Sequence, residues 1–226
     1  MSFQLGEVDL DKDFGEVIRC LWEAHEEPFQ PLYRLYCPTF DEDREASIKE
    51  STERFLEWHR HDPQSRWLKV TDTSTGKIVG GAWYKIYSEN PFLHEEDEVA
   101  YWYPDDSTRD YVTQAIEQMD RPRKEKATNP QVFLNILCTH PDYRRKGIGA
   151  MLLEWGLEVA KDKNVEFWLN STPVGKPLYE RYGFEVVERN TLVPRTDHPD
   201  DNWKKIEKEM EDVVFWTMYM PRKERN

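Results

Sequence analysis

The stretch from Phe133 to Ala150, FLNILCTHPDYRRKGIGA, constrains the fold more than any other part of the chain. An apolar, strand-like run ends in a Pro141-Asp142 turn. The cations Arg144, Arg145 and Lys146 come next, and Gly147-Ile148-Gly149 opens directly into helix-forming sequence. A strand that enters a helix through a glycine turn makes a cradle for an anion. Glycine lets the backbone come close, the first N–H groups of the helix point outward, and the helix dipole favours negative charge there. The three cations add mobile positive charge for phosphate oxygens. The segment therefore predicts a grip on a phosphate-bearing ligand, and the open question is which one.

With 226 residues, the chain is read as one elaborated domain over 1–226, with an irregular, insertion-like region at about 89–130. Its 9 Trp, 11 Tyr and 10 Phe can fill a sizeable core without disulfides. The three cysteines, Cys20, Cys37 and Cys138, are odd in number and lack CxxC spacing, so reduced thiols in a cytoplasmic or nuclear protein are expected. No secretory leader and no membrane-length apolar run is read in the sequence, so no membrane partner is expected. A net charge of −13 argues against a nucleic-acid surface. The acid is uneven: Glu89 to Asp110 holds eight carboxylates and one cation. That cluster would suit a cationic amine arriving beside an anionic cofactor, and equally a solvated acidic loop.

Periodicity predicts strands at 3–9, 67–72 and 78–88, the last two joined by the turn Thr73-Ser74-Thr75-Gly76. Helices are expected from about Phe14, with Asp11 or Asp13 as cap, over 43–61, and over 108–119. Residues 27–41 and 121–130 read as connections. A strand at 131–138, a helix at 147–162 and a strand at 165–170 form a βαβ unit with parallel strands. A helix at 174–182, a strand at 184–189, a polar loop at 190–210 and a strand at 213–220 complete the chain.

Two familiar phosphate sites fail on their residues. GxxxxGK[ST] is absent, and a GxGxxG turn would need glycine where Leu152 stands. The run Arg144-Arg145-Lys146-Gly147-Ile148-Gly149-Ala150 resembles the R/Q-x-x-G-x-G/A signature of the GNAT superfamily of acyl-CoA-dependent N-acetyltransferases. Downstream, Tyr179-Glu180-Arg181-Tyr182-Gly183-Phe184 resembles that family's second hallmark, a tyrosine four residues before Gly-Phe. The likeness covers roughly residues 131–187. His140-Pro141-Asp142 also matches the J-domain tripeptide, but that motif sits between two long helices and here a strand precedes it.

The resemblance implies an α/β (α+β) fold: a mixed, mostly antiparallel sheet of about seven strands with a splayed parallel pair and helices on both faces. It implies acetyl-CoA as co-substrate and no metal. The thioester would lie near the backbone of Leu137, Cys138 and Thr139, and the pyrophosphate on Arg144, Arg145, Lys146, Gly147, Ile148, Gly149 and Ala150. Asn170 could bond the pantetheine amide or simply end its strand. Tyr179 is the expected general acid for the leaving thiolate, with Tyr182 the expected core aromatic. Cys138 reads as a small buried filler, because direct attack by an amine needs no acyl-enzyme. His94, Glu95, Glu96, Glu98 and His140 stand as unresolved candidates for the base. His59 and His61 fall on different helix faces, which argues against zinc. The acceptor is expected to be a small-molecule amine. A silent acyl-CoA-binding module, a protein N-acetyltransferase and a homodimer stay open. Aromatic residues in Phe29 to Tyr36 and Tyr101 to Tyr103 would suit an aromatic amine, or equally core packing.

Overall fold

A computed structural model describes residues 2–40, 42–93 and 99–222. The alternating strands β1 (Phe3–Glu7), β2 (Ser65–Asp72), β3 (Ile78–Tyr87), β4 (Gln131–Thr139), β5 (Glu166–Ser171), β6 (Glu185–Thr191) and β7 (Val214–Met220) join in one sheet of order β1-β2-β3-β4-β5-β7-β6. Only β4 and β5 run parallel; every other neighbouring pair is antiparallel. Among the described residues six α-helices flank the sheet: α1 (Phe14–Glu26), α2 (Arg44–His61), α3 (Ser107–Lys126), α4 (Ile148–Lys163), α5 (Lys176–Arg181) and α6 (Asp201–Glu209).

Strand alternation sorts the core into layers. Ala82, Tyr84, Val132 and Leu134 pack with Ile148, Leu152 and Leu153 of α4. Their neighbours Trp83 and Cys138 face Val17, Leu21 and Trp22 of α1 and Phe55 of α2. Phe133 and Trp168 make a third patch. A fourth, built by α3, α6 and residues 100–103, holds Tyr111, Val112, Ile116, Trp203 and Ile206.

Three local expectations are corrected. Asp13 precedes α1, but its carboxylate caps no helical N–H. It accepts instead from Asp9 N–H at 2.8 Å and pairs with Lys69. The connection expected at 121–130 is largely helix, since α3 runs through Pro122 to Lys126 and buries Asp120, Pro122 and Arg123. Proline lacks the N–H that would bond the Gln118 carbonyl, a local cost of roughly 3 kcal/mol, and burial of that turn offsets it. Residues 190–210 are not all loop either. α6 is capped by Asp200, whose carboxylate accepts from Trp203 N–H at 2.9 Å, and it buries Trp203 and Ile206 against α3. The segment before it is held by Gln114 and Gln118, each paired through both amide atoms to the backbone of Arg195 and Val193.

Among the described residues no helix is long and apolar enough to cross a membrane, and no group of three or more His, Cys, Asp or Glu side chains could hold a metal ion.

Candidate active site

The parallel pair opens partway along. β4 and β5 are in register from Gln131–Glu166 to Leu134–Leu169, and there their ladder ends, although β4 continues to Thr139. On its other side β4 stays paired with β3 up to Gly80–Thr139, with one interruption: Leu134 opposes Tyr84 and Ile136 opposes Trp83. Asn135 is therefore the extra residue of a β-bulge, a device that bends a strand and increases its twist. The bulge and the end of the parallel ladder coincide, so β4 departs from β5 at Asn135. Beyond it, residues 135–139 have backbone groups turned toward a gap rather than toward β5, and such groups need a partner.

At the end of that gap stands the cradle. Gly147 caps α4 in the left-handed region, φ 87°, where a side chain would be strained. The first bond of the helix runs from Met151 N–H to Gly147 O at 3.0 Å. The N–H groups of Ile148, Gly149 and Ala150 are thus left at the mouth without a helical partner. The three expected cations divide. Arg145 is exposed, also left-handed with φ 62°, and lines the gap. Arg144 lines it too, but its Nη2 donates to Ala24 O at 2.8 Å, tying the last turn of α1 to the cradle. Lys146 donates to Asp142 O at 2.8 Å, rests 4.7 Å over the Tyr143 ring and is not on the wall.

The gap belongs to one cavity of about 960 Å³, whose wall includes Leu137, Cys138, Thr139, Gly147, Ile148, Gly149, Ala150, Asn170 and Tyr179. Tyr179 is 6% exposed, edge-on to Phe184, and burial pushes its phenol well above the ordinary value, so it remains protonated and able to donate. Tyr182, expected in the core, is half-buried: its ring packs against the same core, and its hydroxyl reaches the surface and donates to Glu154 at 2.6 Å. The local pattern cannot separate two tyrosines three apart. The tertiary contact does, because the face of α5 that meets the sheet carries Tyr179. Asn170 accepts from Thr217 Oγ1 at 3.0 Å and donates to Met119 O at 3.4 Å, joining β5 to β7 and α3. Cys138 is buried in the α1–α2 layer beside Cys20, whose thiol is pushed far up by Cys138 and by burial; all three cysteines are free thiols.

Among the base candidates, His94, Glu95, Glu96 and Glu98 lie outside the described residues. His140 is buried off the cavity wall, with Nε2 2.7 Å from Lys77 and 3.1 Å from Glu23. His59 meets Ser65 Oγ at 2.8 Å, whereas His61 lies on the wall.

A model of the acetyltransferase (GNAT) family matches residues 29–184. The chain belongs to this GNAT family. An acetyltransferase of Stachybotrys chartarum is 31% identical over 64 residues, 28% of this chain. The chain spans 28% of that relative's length. Among solved structures, the polyamine N-acetyltransferase of Drosophila melanogaster superposes with a TM-score of 0.64 at 16% identity, covering 97% of this chain and 100% of that one. The PaiA N-acetyltransferase of Thermoplasma acidophilum, solved with coenzyme A, gives 0.51 at 16% identity, with 99% and 100% covered. At these identities the likeness is one of fold. It carries the seven-stranded mixed sheet and its parallel pair, as the sequence motifs of this GNAT chain imply.

Sequence reading missed the far wall of the cavity. Trp58, Trp83, Lys85, Phe92, Asp120 and Arg123 line it, from α2, β3, the segment after β3, and α3. Trp58 stacks on Trp83 with ring centres 6.2 Å apart and meets Trp102 edge-on at 5.0 Å. Of the aromatic residues expected there, Tyr33 and Tyr36 are on the wall. Trp102 and Tyr103 are buried behind it, and Tyr101 is exposed, accepting from Trp58 Nε1 at 2.5 Å. No local motif joins these residues, so no sequence pattern could have found them together.

Proposed function

We propose that this GNAT protein transfers an acetyl group from acetyl-CoA to the primary amine of a small molecule by direct attack. The observation that carries the reading is the coincidence of three features in one cavity: the opened β4–β5 ladder, the N–H mouth of α4, and the protonated phenol of Tyr179. A pantetheine arm laid along residues 135–139 would satisfy the strand edge as an added strand does. The pyrophosphate would meet the N–H groups of Ile148 to Ala150, with Arg145 supplying charge. Backbone N–H groups near Leu137 to Thr139 would stabilise the oxyanion that forms when the amine attacks, an effect often worth about 3 kcal/mol. The Tyr179 hydroxyl would give its proton to the departing thiolate. A relative that acts on polyamines and a coenzyme A complex of the same fold support this choice of donor and acceptor class.

The test is thermal stability with and without acetyl-CoA, followed by thiol release on an amine panel. Stabilisation by acetyl-CoA together with acceptor-dependent thiol release is expected. No stabilisation by either CoA or acetyl-CoA would refute the proposal. CoA-dependent stabilisation without turnover of any amine or peptide would favour a silent binding module.

A further inference from the structure

The wall opposite the cradle holds buried donors that lack acceptors. Arg123 is 5% exposed, and its only hydrogen bond among the described residues runs from Nη2 to Asp120 Oδ1 at 3.3 Å. Nε and Nη1 are buried with no partner. The guanidinium lies 3.7 Å from the centre of the Phe133 ring and 4.7 Å from that of Phe92, contacts that stabilise a cation without using its N–H groups. A guanidinium is donor-only, so these N–H groups need an acceptor from outside the side chain. On the same wall, two residues along β4 from Phe133, the bulge residue Asn135 holds Nδ2 buried and also without a partner. Gln131 Oε1 is likewise unpartnered, but Gln131 is not on the wall.

The three nitrogens, buried just behind the wall in residues that line it, are all donors. A ligand that brought only N–H groups, such as a polyammonium chain, would leave every one of them unsatisfied. The described carboxylates on this part of the wall are also already engaged: Asp62 with Lys85 at 3.0 Å, and Asp120 with Arg123 at 3.3 Å. A carboxylate supplies what is missing, being acceptor-only with two oxygens for charge-assisted bonds. Position fits the acceptor rather than the donor. Phe133 lies six residues before Thr139 on β4, roughly 20 Å along an extended strand from the end that meets the cradle.

We infer that the acceptor is an amine that also carries a carboxylate, an amino acid or a close relative of one, and that Arg123 with Asn135 binds the carboxylate. This rests on the acyl-transfer reading above and names its substrate class. With the carboxylate held at Arg123 between Phe92 and Phe133, the amine is left to face the opened β4 edge, where the thioester would lie. Arg123 is thus a specificity-determining and positioning residue; it takes no part in bond making.

The experiment uses matched acceptors: several amino acids, each with its decarboxylated amine and its carboxamide. Acetyl-CoA turnover should favour the carboxylate member of each set by about tenfold or more in kcat/KM. Arg123→Gln should collapse that ratio toward one, chiefly through KM, and Arg123→Lys should keep part of it. Asn135→Asp, which turns a donor into a like charge, should lower the ratio as well and serves if the Arg123 variants fold poorly. A binding arm without acetyl-CoA compares stabilisation by each free acid with that by its amine, in wild type and variants. It reads the carboxylate site even if no acyl transfer occurs, so failure of the transfer reading and failure of this one are distinguishable. Equal use of acid and amine, a preference for the amine, or variants that lower both alike would overturn the inference.

Discussion

At the α4 end of the cavity the groups presented are backbone N–H groups of Ile148, Gly149 and Ala150 and the open edge of β4, whereas the far end presents side chains drawn from α2, α3, β3 and β4. The first end is made by one continuous segment, so a short motif specifies it. The second is assembled from residues as distant as Trp58 and Arg123, and only the folded sheet brings them together. A binding surface made of backbone tolerates side-chain change and fails when the chain path changes. A surface made of side chains does the reverse.

Tyr179 lines the same cavity, and its removal gives the largest expected effect. Tyr179→Phe should lower kcat by about a hundredfold while stabilisation by CoA persists, measured by thiol release and thermal shift. A loss of CoA binding of equal size would make Tyr179 part of the frame instead. Next comes the chain path. Gly147→Val forces a branched side chain into φ 87° and should cost about 2 kcal/mol of stability, with CoA affinity falling roughly tenfold. Titration of CoA against the variant checks it.

The far end should answer differently. Trp58→Ala removes the stack on Trp83 and the edge contact with Trp102, with an expected loss of about 2 kcal/mol and a several-fold rise in acceptor KM at constant CoA affinity. If CoA affinity fell in parallel, the two ends would not be separable. Arg145→Ala should be milder, about threefold in CoA affinity and less at high salt, because this cation is exposed.

The smallest effect concerns pH. Burial pushes the His25 imidazole down, Arg144 adds to this, and the bond to Leu21 O at 2.8 Å opposes it. The unfolded chain then binds the proton more readily, so stability should fall as pH drops below about 6.5. His25→Gln should flatten that slope in denaturant titrations between pH 7.5 and 5.5. An unchanged slope would show that His25 is not its source.

The same division governs what was legible in the chain. The βαβ unit, the cradle and the positions of the seven strands along the chain follow from periodicity and glycine placement, which are local properties. The continuation of α3 through Pro122 was not legible, since proline locally argues for a break and only the burial of Met119, Asp120 and Arg123 decides against it. α6 was missed because its nine residues are mostly charged. Trp203 and Ile206 become a face only when Tyr111 of α3 meets it, with rings 5.0 Å apart. Asp200 as its cap and Trp203, Ile206 and Met210 at i, i+3 and i+7 were the local signals available.

The sequence by itself determined the strand–turn–helix at 131–150, because conformation there depends on neighbours along the chain. The tertiary structure alone decided that β4 bulges at Asn135 just where its ladder with β5 ends. It alone placed Tyr179 inward and the Tyr182 hydroxyl outward, and gathered Trp58, Phe92, Arg123 and Asn135 around one cavity. Those outcomes turn on burial and on partners far apart in sequence, and burial is a property of the packed chain that no local pattern contains.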